Sequence, residues 1–551
     1  MNDTAKVEQD RQALAAVQGK GLLARLGVYT RLSGPGWLQS AITLGGGSLG
    51  GSLYIGVIGG YDMLWLQPLM MILGIIMLSA IAYVTLSTGE KPFHAINQHV
   101  NPVLGWGWLV AAMIANLVWA MPQFSLGAAA MRQNLGIPLS NEMCALFLFV
   151  AAGVVIWFYD AGGWGIKLFE ILLKIMVGLV VLAFFGVVAA LAFKGALPWA
   201  NVFTGFVPDF SLLSQPAEQL RPYVAASSNP EYWQDKIVGT QQERMIAAAA
   251  AAVGINMTFL LPYSMLRKGW DKTFRGLATF DLSTGLFIPF MLATSCVVIA
   301  AASQFHAKAD PALWGDGEPN AVTAELQKGY DGNMKAFAEA NPDLTANLAD
   351  QQLSAMTIKS DAFALASSLE NVTGSEAVAQ VIFGIGVLGM AISTIIILML
   401  INGFTFTEAI GVKTSGVMHR VGSFLPGVTG ALGFLLLWSD PDFPKFWLTV
   451  PTGKVGMMLL PVAYITFFFM MNNKKLMGES LLQGGKRTAA NLVMLVATAV
   501  ATFGCLMSIW TTKDMVPGTE IAARPYVIGA FVSFLALAVI VHFVRLGRKQ
   551  A

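Results

Sequence analysis

The sequence predicts an all-α polytopic membrane protein with about twelve transmembrane helices, and three observations carry that prediction. Of its 551 residues, 55% are hydrophobic and only 12% charged, where a soluble domain carries about 25% charged residues. The apolar residues gather into runs of about 20 residues or more, long enough to cross roughly 30 Å of hydrocarbon. One of the earliest runs is interrupted by glycines at a depth where no water reaches the backbone.

In chain order the runs fall near 34–58, 62–88, 102–131, 141–159, 168–193, 245–266, 277–305, 375–407, 421–438, 446–471, 488–511 and 525–544. Residues 1–32 are polar and mixed in charge, and read as a cytosolic segment, partly an amphipathic helix on the membrane surface. They lack the apolar core of a cleavable signal peptide. With this end inside, Lys91, Lys167, Arg267, Lys268, Lys413, Arg420, Lys474, Lys475 and Arg545 all fall on the inner side near helix ends, as the positive-inside rule requires. Both termini are therefore expected in the cytoplasm, with the chain in the cell (inner) membrane. Two long polar loops, near 194–244 and 306–374, fall outside, and the second is rich in Asp and Glu. They are too long for turns and predict short helices packed on the outer face. Asn371-Val372-Thr373 matches a glycosylation sequon, a short and weak signal.

Composition also excludes function classes. The net charge of +2, without a basic patch interleaved with aromatics, gives no support for nucleic acid. Cys144, Cys296 and Cys505 each lie in an apolar run, so neither a disulfide framework nor a thiolate cluster is expected. No phosphate loop, nucleotide fingerprint or triad spacing is present, so neither an ATP-driven pump nor an enzyme is predicted, and no cofactor is assigned.

The stretch Gly34–Tyr61 holds no charge, yet its middle reads Gly45-Gly46-Gly47-Ser48-Leu49-Gly50-Gly51. Each interior glycine costs about 1 kcal/mol against alanine in a helix. Small residues can simply allow close helix packing. A helix broken at mid-membrane, however, exposes backbone groups to a buried cavity, and secondary transporters build substrate sites from such breaks. The sixth run, MIAAAAAAVGINMTFLLPYSMLRKGW, contains Pro262, which removes a backbone donor and predicts a kink just before it. A proline kink alone is ordinary. Interruptions at matching places in two halves point to a midplane site.

Across these segments the chain resembles the Nramp (natural resistance-associated macrophage protein) family of proton-coupled divalent-metal transporters. Gly34-Pro35-Gly36-Trp37-Leu38 is similar to the opening of that family's helix 1, and Gly60-Tyr61 with Leu64-Trp65 to the start of helix 2. Leu135-Gly136-Ile137-Pro138, Lys167-Leu168-Phe169-Glu170, Phe280-Asp281 and Asn473 with Leu476-Met477-Gly478 extend the likeness through helices 3, 5, 7 and 10. The resemblance implies a LeuT-type inverted repeat of 5+5 helices over residues 33–474. Residues 475–551 then supply two additional transmembrane helices and a short basic tail. The two long outer loops are not typical of the family.

The family's metal motifs, Asp-Pro-Gly-Asn and Met-Pro-His, become Gly45-Gly46-Gly47-Ser48 and Leu261-Pro262-Tyr263 here. Its helix 3 acidic pair becomes Ala120 and Gln123. On this reading the carboxylate, amide and thioether ligands are all missing. A divalent ion without a carboxylate faces a desolvation cost that hydroxyls and carbonyls hardly offset. The expected substrate-binding residues are Gly45, Gly46, Gly47, Ser48, Thr258, Leu261, Pro262, Tyr263 and Gln123. Ser40, Thr43, Ser52, Asn116, Ser393, Thr394 and Tyr464 are further polar candidates, and Asn256 and Ser264 bring polar groups to the depth of Pro262.

The expected function is a secondary active transporter working by alternating access. The family implies divalent metal. The altered site favours a different or less selective solute, small and neutral, zwitterionic or anionic, because loose N–H groups at a helix N-terminus attract negative charge. A partly hydrated metal such as Mg²⁺ is the alternative within transport. Partners are this solute, the bilayer, and a coupling proton or sodium ion whose residues the sequence does not name. A transport-inactive scaffold or sensor is the reading from another class. Among ionisable residues in the runs, Glu170 and Lys174 read as a structural pair, Glu408 as an inner headgroup contact, Glu90 and Lys91 as inner charges, and Asp281 as a helix-terminal carboxylate.

Overall fold

The structure is a computed structural model that describes residues 3–17, 19–160, 171, 175, 178, 181–182, 185–318, 321–358, 376–437, 449–512 and 522–550. Glu170, Lys174, the sequon at 371–373 and most of the predicted fifth span lie outside these residues.

Two short helices, α1 (Asp3–Val17) and α2 (Leu22–Leu32), precede the first span, which is split into α3 (Pro35–Thr43) and α4 (Gly46–Gly59). Then come α5 (Leu66–Thr88), α6 (Pro102–Ala129) and α7 (Asn141–Asp160). The sixth span is α8 (Pro230–Ala252) followed by α9 (Ile255–Arg267), and the seventh is α10 (Arg275–Asp281) joined through a wider turn to α11 (Ile288–Phe305). After α12 (Ala321–Ala340) and α13 (Leu348–Met356) come α14 (Glu376–Ala409), α15 (Val417–Leu437), α16 (Thr449–Asn472), α17 (Gly484–Trp510) and α18 (Arg524–Gln550). Among the described residues, 10 helices are long and apolar enough to cross a membrane, or 11 with α3–α4 counted as one bent span. The chain is thus an integral multi-pass membrane protein of the all-α class predicted.

Local chemistry sets the ends. Asn101 accepts a 2.9 Å bond from Val103 N at the start of α6, with Pro102 in the first turn. Asn229 accepts from Tyr232 N at 3.1 Å ahead of Pro230. These are the cap-then-proline pairs that satisfy loose N–H groups. Gly89 closes α5 at φ 69°, a left-handed turn that glycine adopts without steric cost.

Burial locates the centre. The Pro230–Arg267 span is 89% buried over its apolar window, while Arg524–Arg545 is 0% buried. α4 packs on α8 and α11, α8 also on α16, while α6, α14 and α15 form a second packed group alongside. The two chain ends share one face. Arg11 pairs with Asp271 at 2.7 Å, and Arg545 donates to the Gln98 carbonyl at 2.7 Å. Opposite lies a layer of short helices from the two long loops. Buried Asp350 joins that layer to the start of α8, accepting from Ser228 Oγ at 2.6 Å and Trp233 Nε1 at 2.7 Å.

Candidate functional site

The bend between α3 and α4 is 54°. Leu44 and Gly45 leave helical geometry there, Gly45 at φ −109°, ψ −176°. Three glycines make the corner possible because no side chain fits. A Cβ on Gly45 would overlap Thr394 Oγ1, one on Gly46 would overlap Leu126 Cδ2 and lie 2.8 Å from Gln123 Oε1, and one on Gly47 would overlap the Trp119 ring. The first N–H of α4 is satisfied by Gln123, with Gly46 N donating to Oε1 at 3.0 Å. Ser48 Oγ donates back to the Thr43 carbonyl across the corner. It also lies 3.3 Å from the carbonyl of Ala251 on α8.

The second break sits at Val253–Gly254, both in extended geometry. The chain does not unwind just before Pro262, as the sequence allowed: α9 runs from Ile255 to Arg267 with Pro262 inside it. The physical reason lies in the residues just past the alanine run Ala247–Ala252. Valine is β-branched, glycine is a weak helix former, and Asn256 supplies a local acceptor, its Oδ1 taking Met257 N at 3.0 Å.

Met257 ties the two breaks together. Its carbonyl accepts from Gln39 Nε2 at 3.2 Å, and its sulfur lies 3.3 Å from Thr43 Oγ1, both on α3. Between the breaks is a cavity of about 40 Å³. By that measure one water needs roughly 10–15 Å³, so about three waters fit. Gly45, Gly47, Ser48 and Gln123 line it, joined by Thr43, Trp119, Gly254, Asn256, Met257 and Thr394. Two buried polar atoms on this lining, Gln123 Nε2 and Thr394 Oγ1, have no protein partner among the described residues. A buried polar group left dry costs about 1–3 kcal/mol, so water or a transported species belongs there. No group of three metal-binding side chains occurs among the described residues.

The other predicted residues lie elsewhere. Gly46 sits just behind the lining, bonded to Gln123. Thr258 Oγ1 accepts from Trp108 Nε1 at 2.7 Å. Leu261 and Pro262 are buried in α9, and Tyr263 stacks on Phe259 at 4.5 Å and Phe404 at 5.9 Å. Ser52 bonds Gln67, Ser393 bonds the Met390 carbonyl, and Tyr464 reaches the Leu73 carbonyl at 3.4 Å. The reading that no thioether remains is also corrected, because Met257 brings one to the lining. Sequence reasoning missed Met257, Trp119 and Gly254. The signal for two of them was Val253-Gly254-Ile255-Asn256-Met257, a helix breaker and a cap ending an alanine run.

At the face that carries the termini, Asp281 closes the start of α3. Its carboxylate accepts from Gly36 N at 2.7 Å, Gly34 N at 3.1 Å and Ser33 Oγ. A carboxylate at a helix N-terminus is favoured by the helix dipole, and this one caps α3 rather than its own helix. Glu408 at the end of α14 pairs with Lys91 after α5.

The bent first span, the enclosed sixth span and the cavity between their breaks define a multi-pass helical membrane protein with a polar site at the centre of its bundle. The chain belongs to the natural resistance-associated macrophage protein-like family, whose pattern it matches over residues 36–317 and 344–511. Two structures of the Eremococcus coleocola manganese transporter, a histidine variant and a glutamate variant, superpose with TM-scores of 0.65 and 0.66 at 12% identity. Each alignment covers 94% of this chain and 95% of the other. The same transporter bound to an aromatic bis-isothiourea compound gives 0.59 at 13% identity. The fold is theirs, and with it the LeuT-type arrangement expected from the sequence. No curated protein matches the chain.

Proposed function

We propose that this protein is a secondary transporter rather than an enzyme, carrying a small metal cation with part of its water shell by alternating access. The observation that carries this reading is the cavity of about 40 Å³ at the junction of two broken helices, where two buried polar atoms, Gln123 Nε2 and Thr394 Oγ1, have no protein partner among the described residues. Family membership supports transport, and the manganese transporters with the same fold support a metal. Size favours an ion over an organic solute, since the space holds only about three waters. The helix dipole argument for an anion is weakened, because the first N–H of α4 is already bonded to Gln123.

The lining supplies neutral donors of electron pairs: the Thr394 and Ser48 hydroxyls, the Asn256 amide and the Met257 thioether. Without a carboxylate, a hard ion gains least by shedding its water, which is how Mg²⁺ is usually held. A softer ion gains from the thioether. A small anionic or zwitterionic solute is the second reading, and it rests on the donor Gln123 Nε2, which has no partner among the described residues.

Flux into proteoliposomes of purified protein, measured for Mg²⁺, Mn²⁺ and a panel of small organic acids and amino acids, tests the proposal. Saturable metal uptake supports it. Uptake of an organic solute with no metal flux replaces it by the second reading, and no flux of any of them leaves a scaffold or sensor.

A further inference from the structure

α18 is held to the bundle at one end and stands away from it at the other. Toward the face that carries the termini, Asn101 Nδ2 donates to the Ala538 carbonyl at 2.8 Å. Arg545 donates to the carbonyls of Asn97 at 3.2 Å and Gln98 at 2.7 Å. Phe534 packs flush on Gly107, where no Cβ would fit. Toward the opposite face the helix diverges from α16 and α17, leaving a crevice of about 850 Å³. Its walls include Val462 and Ile465 of α16, Phe503 and Leu506 of α17, and Ile528 and Phe531 of α18.

A gap of this size does not stay empty at the packing density of proteins, and apolar walls give water no partners. All three helices are apolar enough to span a membrane, so the gap lies within hydrocarbon. A hydrocarbon chain recovers the dispersion contacts that the walls would otherwise lose. The mouth is not apolar. Arg524 lines it, with Nε bonded to the Thr512 carbonyl at 3.2 Å and the guanidinium 5.4 Å from the Trp510 ring centroid. Trp510 and Tyr526 are 72% and 62% exposed beside it. Exposed Trp and Tyr at helix ends mark the headgroup level of a bilayer. Arg524 therefore stands at the depth of lipid phosphates, which guanidinium binds through paired N–H bonds.

We propose that this crevice is a phospholipid site: one acyl chain lies between α16, α17 and α18, and Arg524 holds the lipid phosphate. The inference does not depend on what the central cavity carries. A bound chain would complete the packing of the last two spans against the core.

The test uses the full-length protein in nanodiscs of phosphatidylcholine and phosphatidylglycerol doped with an acyl-photoactivatable phosphatidylcholine, with cross-linked peptides mapped by mass spectrometry. In the wild type, label concentrates on the crevice peptides of α17 and α18. It drops several-fold in Ile528→Trp, which fills the gap, and in Arg524→Gln, which removes the phosphate contact. Label spread evenly over α7 and the outer faces of α17 and α18 in the wild type would overturn the proposal without any variant. So would unchanged crevice labelling in both variants, or a wild-type dimer that Ile528→Trp splits, since a second copy would then fill the space.

Discussion

Between α3 and α4 the chain turns through 54°, whereas α8 and α9 remain a single 38-residue span despite their break. The first corner is fixed by what is missing: three glycines pressed against Thr394, Gln123 and Trp119, with no room for a methyl group. The second is a two-residue extension at Val253–Gly254, held by side chains that reach across from α3 and by Asn256. One break is a rigid corner set by sterics, and the other a short interruption set by hydrogen bonds. In an alternating-access cycle the second is therefore the cheaper to reshape.

The largest effect is expected at the corner. Gly47→Ala should abolish flux and destabilise by about 1–3 kcal/mol, the usual cost of overpacking. Trp119→Leu placed in the same chain should restore part of both, because the ring is the obstacle. Thermal melts and proteoliposome flux read the pair, and an additive double variant would break the account of a steric corner.

Next comes Gln123→Leu, which keeps the bulk but leaves Gly46 N buried without an acceptor. That costs about 1–3 kcal/mol of stability, read as a lower melting temperature together with reduced flux. The paired change Val253→Ala with Gly254→Ala extends the alanine helix through the second break, and should lower flux while raising helix stability by about 1 kcal/mol. Pro262→Ala should do the reverse of what a break at the proline would give. Because α9 is helical on both sides of it, restoring the N–H should keep flux and raise the melting temperature.

The smallest effect concerns pH. His306, just past α11, is buried, and burial lowers its pKa from the ordinary 6.5, opposed by its Nδ1 bond to the Val57 carbonyl at 3.0 Å. The neutral ring is thus the folded form, and the unfolded chain takes up the proton first. Stability is full above pH 6.5 and declines as pH falls below it. His306→Gln should flatten that slope in melts across this range.

The two breaks also show how much was legible in the sequence. Membrane class, spans and family resemblance followed from apolar runs and from motifs such as Gly34-Pro35-Gly36, because lipid imposes a coarse rule on composition. The corner at Gly45–Gly47 was visible because glycine signals backbone freedom directly. The second break was hidden by a stronger punctuator. Pro262 drew attention eight residues too far along, although a proline costs a membrane helix little when neighbouring groups satisfy the freed carbonyl. Trp119 was not legible at all, since an apolar residue on a membrane helix gives no sign of which neighbour it faces, and Met257 was marked only by the helix breaker and cap just before it. The pairing of Asp281 with the start of α3 likewise depends on residues 245 positions apart.

Metal uptake by proteoliposomes of the wild type and of Gly47→Ala, assayed side by side with a folding control, tests the central claim most directly. The account predicts saturable uptake in the wild type, its loss in Gly47→Ala, and partial return in Gly47→Ala with Trp119→Leu. Uptake that proceeds unchanged with the corner blocked would contradict a substrate path between the two broken helices.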